Sequence, residues 1–204
     1  MIQPLNTHYK GYRFRSRTEA RWAVFFDHLN LDDRFFPKFK WNYELEGFKL
    51  TNGTCYLPDF YLKDLDCWVE VKGQKPTKEE RDKCENLAWE SNKPIILLVD
   101  VPGEYIPEIY CGDLTDSSGG AGWWTCRFGY NQNKKHCIEI IEADGRERDF
   151  FEPNLQKEYP CILAKWNVGK EGVNWLEYMA EPLLIEDIDD LGASATMFAR
   201  IARF

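Results

Sequence analysis

Two carboxylates and a lysine stand inside the most apolar, strand-like part of the chain: Asp59 in "CYLPDFYLK", then Glu70 and Lys72 in "DCWVEVKG". Valine or alanine would suit such strands better, because a buried charge is costly unless it is paired or neutralised by a shifted pKa. On a strand, residues two apart share a face, so Glu70 and Lys72 project together with Trp68, while Val69 and Val71 face the other side. If the preceding strand is the antiparallel neighbour, Asp59 approaches the same face, and two carboxylates and an ammonium converge. Such a set suits phosphodiester hydrolysis. Carboxylate oxygens bind hard Mg²⁺, with Mn²⁺ as a substitute, and the ion polarises the phosphoryl group and lowers the pKa of a bound water. A neighbouring lysine orients that water or stabilises the charge developing on the phosphoryl oxygens.

The surrounding sequence must supply the elements that hold these groups. Residues 9 to 15 alternate weakly, with Tyr12 and Phe14 opposite Arg13 and Arg15, and read as an edge strand. From Ser16 the period becomes helical, with Ser16 as N-cap and Glu19 at the capping-box position. "KFKWNYELEGFKL" reads as a strand with a turn around Gly47. "CYLPDFYLK" reads as a second strand, in which Pro58 implies an edge or a bulge. "DCWVEVKG" makes the third. A helix follows from near Pro76 and Thr77 to near Asn92, and "PIILLVD" is an apolar run suited to a strand buried on both faces. The expected class is α/β, an α+β arrangement around a mixed sheet. A core domain is expected over residues 1–112, and a smaller β-rich and α-containing accessory region over 113–204, beginning at the Ser/Gly-rich "DLTDSSGGAGWW". In that region "WWTCRFGY" and "HCIEIIEAD" are expected to pair as a hairpin, "CILAKWNV" to add a strand, and "ASATMFARIARF" to form a terminal helix.

Pro58-Asp59, ten residues, then Glu70-Val71-Lys72 resembles the signature of the PD-(D/E)XK nuclease superfamily, and the order helix, three strands, helix, strand resembles its restriction-endonuclease-like αβββαβ core. The match spans roughly residues 9 to 100. The resemblance implies that Asp59 and Glu70 ligate Mg²⁺, with the backbone carbonyl of Val71 as a further ligand. It also implies that Lys72 positions or activates the attacking water, and that Glu19 completes the acidic cluster or holds a second metal. "YKGYRFRSRTEARWAVFFD", "LPDFYL", "WVEVKG" and the terminal "ARIARF" are also similar to a group of phage-encoded and actinobacterial proteins of this fold, which implies a phage or mobile-element origin. The implied activity is that of a metal-dependent (endo)deoxyribonuclease.

Composition bounds the alternatives. Of 204 residues 44% are apolar and 15% aromatic, enough for a sizeable core, and no run approaches the ~20 apolar residues of a membrane span. The first residues lack a secretory pattern, and seven scattered cysteines without a CxxC pair suit reduced thiols, so a cytoplasmic setting is expected, that of the host if the gene is phage-borne. Cys126, His136 and Cys137 do not have the tight spacing of a structural zinc site. The net charge of −8 opposes nucleic-acid binding, but local charge is what meets a ligand. Lys10, Arg13, Arg15, Arg17 and Arg21 face only Glu19 in the first 21 residues, and with Lys75 they are the candidate phosphate-gripping cations. DNA is the expected partner, with RNA left open. Trp123, Trp124, Trp166 and Trp175 are expected in the core rather than stacked on bases. A homodimer would present two sites to the two strands of a duplex, although no heptad specifies one. The rival reading is a catalytically silent nuclease-fold protein that binds a host protein through its acidic "EPLLIEDIDDLG" segment, as a counter-defence factor or DNA mimic would.

Overall fold

The computed structural model describes residues 6–29, 39–110, 122–130, 136–141, 148–151, 163–165 and 195–204. The chain begins with a hairpin, β1 (Thr7–Tyr9) and β2 (Tyr12–Phe14), closed by Lys10 and Gly11. Both turn residues have positive φ, +48° and +85°, the backbone of a tight two-residue turn matched to strand twist. Helix α1 (Arg17–Asp27) starts directly afterwards, and the Ser16 hydroxyl accepts the Glu19 N–H at 3.1 Å. The cap differs from the expected reciprocal box in one respect. The Glu19 carboxylate takes the Ser16 hydroxyl (2.7 Å) and the Arg15 N–H (3.1 Å), whereas a capping box would take the N-cap backbone N–H.

Three strands follow in the main sheet: β3 (Trp41–Tyr43), β6 (Phe60–Leu62) and β7 (Cys67–Lys72), each antiparallel to the next. The turn expected around Gly47 begins earlier, and "CYLPDFYLK", expected as one strand, is interrupted. After Tyr43 the backbone turns left-handed at Glu44 (φ +45°), so the chain leaves the sheet and Phe48–Lys49 becomes a separate strand, β4. β4 pairs with β5 (Cys55–Tyr56) in its own two-stranded ribbon. Pro58 lies between β5 and β6, outside both ladders, and β6 is an interior strand flanked by β3 and β7. Proline has no N–H for a ladder, so the break falls where pairing would have left a gap.

Helix α2 (Lys78–Ser91) crosses from β7 to β8 (Ile95–Val99), the one parallel pair among the described strands. Its start is a full capping box between Thr77 and Glu80, and its end is Asn92 in the left-handed conformation (φ +52°). β9 (Glu108–Tyr110), β10 (Trp123–Tyr130), β11 (His136–Ile141), β12 (Arg148–Phe151) and β13 (Leu163–Lys165) then extend the same sheet antiparallel, giving the order β13-β12-β11-β10-β9-β8-β7-β6-β3. The expected β10–β11 hairpin, the strand in "CILAKWNV" and the terminal helix, α3 (195–201), are all present. β9 and β12 were not anticipated. The architecture is thus mixed α and β, with a mixed sheet and few helices among the described residues.

The sheet separates two apolar layers. On one face Val69, Val71, Ile96 and Leu98 meet α1 through Ala20, Ala23 and Phe26, joined by Phe14, Phe60 and Phe128. On the other, Trp68 and Ile95 meet α2 through Cys84, Leu87 and Ala88, with Leu50 of the β4–β5 ribbon covering them. β7 and β8 are therefore buried on both sides, which is why "IILLV" is an unbroken apolar run. Glu70, in the middle of this sandwich, needs partners to stay there. Among the described residues no helix is long and apolar enough to cross a membrane. The Ser/Gly-rich segment up to residue 121, Cys111, Cys161, Trp166, Trp175 and the acidic stretch 181–192 lie outside the described residues.

Candidate active site

Strand register brings the acids together. Phe60 faces Val69 across the β6–β7 ladder, so one step further Asp59 stands opposite Glu70. Asp59 is 3% exposed, Glu70 6% and Glu19 7%, making these three the buried acids among the described residues. Lys72 lies two residues beyond Glu70 on the same face, with Nζ 2.7 Å from Glu70 Oε1 and 3.3 Å from Glu80 Oε1. The convergence expected from the alternation of "WVEVKG" is present, and Val71 adds to it through its backbone: its N–H donates to Asp59 Oδ2 at 2.7 Å.

Every carboxylate oxygen in the group has a protein donor. Asp59 Oδ1 accepts from the Arg15 guanidinium at 2.5 Å, and Glu70 Oε2 from the Tyr56 hydroxyl at 2.8 Å. Glu19 Oε2 accepts from the Tyr43 hydroxyl at 2.6 Å and from the Arg15 N–H. Glu19 thus sits one residue removed from the Asp59–Glu70 pair, holding the backbone of the arginine that holds Asp59. It still acts on the pair electrostatically. Burial, then the negative charges of Glu70 and Glu19, push the Asp59 carboxyl well above its ordinary range, against the opposing pull of the Val71 N–H and Arg15.

The lysine is tuned in the opposite sense. Burial by itself would lower Lys72, but Glu70 and Glu80 outweigh it and hold the ammonium above the ordinary lysine value. Lys72 is therefore a fixed cation and hydrogen-bond donor at neutral pH, suited to orienting a water or a phosphoryl oxygen and unsuited to removing a proton. Glu80 spans two jobs. One oxygen accepts the Thr77 N–H at 2.8 Å, completing the α2 cap, and the other meets Lys72. That backbone bond, followed by Lys72, keeps Glu80 below the usual carboxylate range.

A cleft of about 330 Å³ opens beside these groups, lined by Arg15, Tyr56, Leu57, Glu70, Lys72, Glu80 and Lys83, with Cys55 at its wall. Its side is the β4–β5 ribbon, tied to α2 where Glu90 accepts the Thr51 N–H (2.8 Å) and hydroxyl (2.7 Å). Of the six cations singled out in the sequence, Arg15 alone lines the cleft. Lys10 pairs with Asp27 at the hairpin turn (2.9 Å), Arg13 and Arg17 are exposed on β2 and the first turn of α1, Arg21 is half-buried along α1, and Lys75 is exposed in the loop before α2.

Tyr56, Glu80, Lys83 and Glu44 were missed by the sequence reading. Glu80 alone left a local signal, the T-x-x-E of its capping box. Tyr56 also touches the Cys84 sulfur at 3.3 Å, and burial pushes that thiol up to about 12, so it is neutral beside Glu70. Tyr56→Phe removes the donor from a buried carboxylate oxygen and is expected to lower metal-free stability by about 1–3 kcal/mol. Urea unfolding reads this directly; an unchanged midpoint would mean that Glu70 is supported without the hydroxyl.

The donor chemistry fits a hard divalent cation: carboxylate oxygens, mutual repulsion within the cluster, and a guanidinium already drawn to Asp59. Among the described residues no three or more histidine, cysteine, aspartate or glutamate side chains form a ready-made metal cluster. Asp59 and Glu70 would therefore supply two ligands and leave the remaining positions to backbone carbonyl and water, the arrangement Mg²⁺ commonly adopts. Compared with family models, with curated proteins and with solved structures, the chain matches none.

Proposed function

We propose that the chain is a metal-dependent nuclease that hydrolyses phosphodiester bonds in DNA. The observation that carries this reading is the facing, buried pair Asp59 and Glu70, with Glu70 and its partner Lys72 at the wall of a cleft edged by Arg15 and Lys83 and Asp59 directly behind it. Structural ion pairs are usually surface features, and burying two like charges in register costs stability unless something else requires them. The order α1, β3, β6, β7, α2, β8, with antiparallel β3–β6–β7 and parallel β7–β8, also supports a PD-(D/E)XK-type core.

In this reading Asp59, Glu70 and the Val71 carbonyl hold Mg²⁺, or Mn²⁺ in its place, and the ion supplies Lewis-acid activation of phosphate and water when bound. The chain's own residues do the rest. Lys72 holds the water or the phosphoryl oxygen in line, Glu80 fixes Lys72 from the α2 cap, and Tyr56 fixes Glu70. Glu19 fixes Arg15 and adds negative charge behind the pair. The oxygen-by-oxygen satisfaction of the acids favours one rival, a silent nuclease-fold protein that binds a partner.

The two readings part on a simple assay. Supercoiled plasmid, linear duplex, single-stranded DNA and RNA are incubated with Mg²⁺, Mn²⁺ or EDTA. Metal-dependent cleavage that disappears in Asp59→Asn and falls by about 10²–10³-fold in Lys72→Met is expected. An inert wild type with every substrate and either metal, or cleavage that survives Asp59→Asn, overturns the nuclease reading.

A further inference from the structure

Asp59 is held by one donor within a strand and one at the end of a partly exposed side chain. The Val71 N–H on Oδ2 is part of β7, whereas the Arg15 guanidinium on Oδ1 ends a side chain that is 54% exposed. The pivot of that side chain is fixed. The Arg15 N–H is bound by Glu19 Oε2 and by the Tyr43 hydroxyl, each at 3.1 Å, which fixes the backbone from which the head extends. The head bridges two carboxylates at once, Asp59 inside at 2.5 Å and Glu44 outside, where Nε lies 2.8 Å from Oε1, so giving up Asp59 still leaves it tethered to Glu44. Glu44 is kept at that distance by its own backbone, a left-handed residue whose N–H donates to the Asp59 carbonyl at 2.9 Å. Lys72 also bridges two carboxylates, Glu70 and Glu80, but its side chain is 24% exposed against 54% for Arg15, which leaves Arg15 the more open of the two to exchange.

We propose that Arg15 is a displaceable counter-cation: it neutralises Asp59 until a divalent metal competes for Oδ1, and the released guanidinium then turns into the cleft to grip a phosphate of the nucleic-acid strand. This rests on the nuclease reading and adds to it a coupling between metal and substrate. Two cations cannot share one carboxylate oxygen without strong repulsion, so metal affinity and the Arg15–Asp59 pair oppose each other by linkage. A guanidinium suits the second task because its fork matches two phosphoryl oxygens, and it already lines the cleft. Metal and DNA should therefore bind with positive cooperativity. The site is neutralised when empty, and its grip on substrate strengthens once the metal is present.

The test uses the full chain and needs no turnover. In a calorimetric Mn²⁺ titration without DNA, Arg15→Gln is expected to bind about tenfold more tightly than wild type, a coupling of ordinary size, while Arg15→Lys keeps the charge and stays near wild type. On duplex DNA with Ca²⁺, anisotropy is expected to show Arg15→Gln binding about tenfold more weakly than wild type, with the difference absent in EDTA. Wild type gives an independent readout: phenylglyoxal labelling of Arg15, followed by mass spectrometry, should accelerate when Mn²⁺ is added and be fast without metal in Asp59→Asn. If Mn²⁺ binds and Asp59→Asn abolishes binding, yet Arg15→Gln has unchanged or weaker affinity or Arg15 labelling ignores the metal, the counter-cation proposal falls and the nuclease reading stands. If neither wild type nor Arg15→Gln binds Mn²⁺, or Asp59→Asn binds it as well as wild type, both fall together.

Discussion

Asp59→Asn is expected to abolish metal-dependent cleavage and, in the absence of metal, to make the protein more stable at neutral pH. Loss of activity follows from removing a charged ligand at the centre of the cluster. The gain in stability follows from the raised pKa of Asp59. A carboxyl whose folded value lies above its unfolded value keeps, when folded, a proton that the unfolded chain has lost. Its contribution to stability is complete below the ordinary carboxylate range and is lost as the pH rises from there through the folded value. Wild type without metal should therefore weaken with rising pH across that window, and the asparagine variant should show a flatter profile. The amide oxygen still accepts the Val71 N–H, while the amide NH2 replaces the acceptor that Arg15 loses, and Arg15 retains Glu44 at 2.8 Å. Relief of about 1 kcal/mol raises Tm by about 2–4 °C in a chain of this size. Thermal scans with EDTA from acid to neutral pH measure both the gain and the flattening. A large fall in Tm would make Asp59 a structural carboxylate.

Lys72→Met is expected to lower kcat by about 10²–10³-fold, the usual loss when one preorganised donor to developing charge is removed, with little change in KM. The methionine stem keeps much of the packing along β7, so the effect is confined to charge. Removing a cation 2.7 Å from Glu70 should also leave Mn²⁺ binding at least as tight as in wild type. That combination, undiminished metal binding with crippled chemistry, distinguishes a residue acting on the reacting phosphate from one that merely holds the fold. The pH dependence has a definite sign. Glu70 and Glu80 hold the Lys72 ammonium above the ordinary lysine value, so its share of stability is complete below that ordinary value and lost only as pH rises through the higher folded one. Between neutral pH and the ordinary lysine range, wild-type kcat should show no limb attributable to Lys72. A limb near neutral pH that vanishes in Lys72→Met would instead make the lysine a general base, and loss of Mn²⁺ binding in this variant would make it structural.

Several features of the site were legible because they obey short-range geometry. The alternation of "WVEVKG" puts Glu70 and Lys72 on one face and Val69 and Val71 on the other, and nothing distant can alter a period of two. Ser16 and Thr77 cap helices from positions that need only the next three residues. "IILLV" is apolar throughout because both its faces are covered. The two strand divisions mark the limit of such reading. "KFKWNYELEGFKL" signals a turn at Gly47 and "CYLPDFYLK" is strand-like along its length, but Glu44 adopts φ +45° and Pro58 withholds an N–H, so each divides there, and Phe48–Lys49 pairs with Cys55–Tyr56 in a ribbon that walls the cleft.

By itself, then, the sequence determined which residues could share a face and where the two main helices begin, and it placed Asp59 beside Glu70 and Lys72 only on the condition that their strands pair antiparallel, which the β6–β7 ladder meets. Only the tertiary structure decided what surrounds them. Arg15 meets Asp59 across 44 positions, Tyr56 meets Glu70 across 14, and the order of the nine described strands of the main sheet is fixed by pairings such as β9 with β8 and β10 that no local pattern encodes. The physical reason is that strand register and helix period are properties of neighbouring residues. The partner of a buried charge is chosen by whichever donor the packed chain brings within about 3 Å of it.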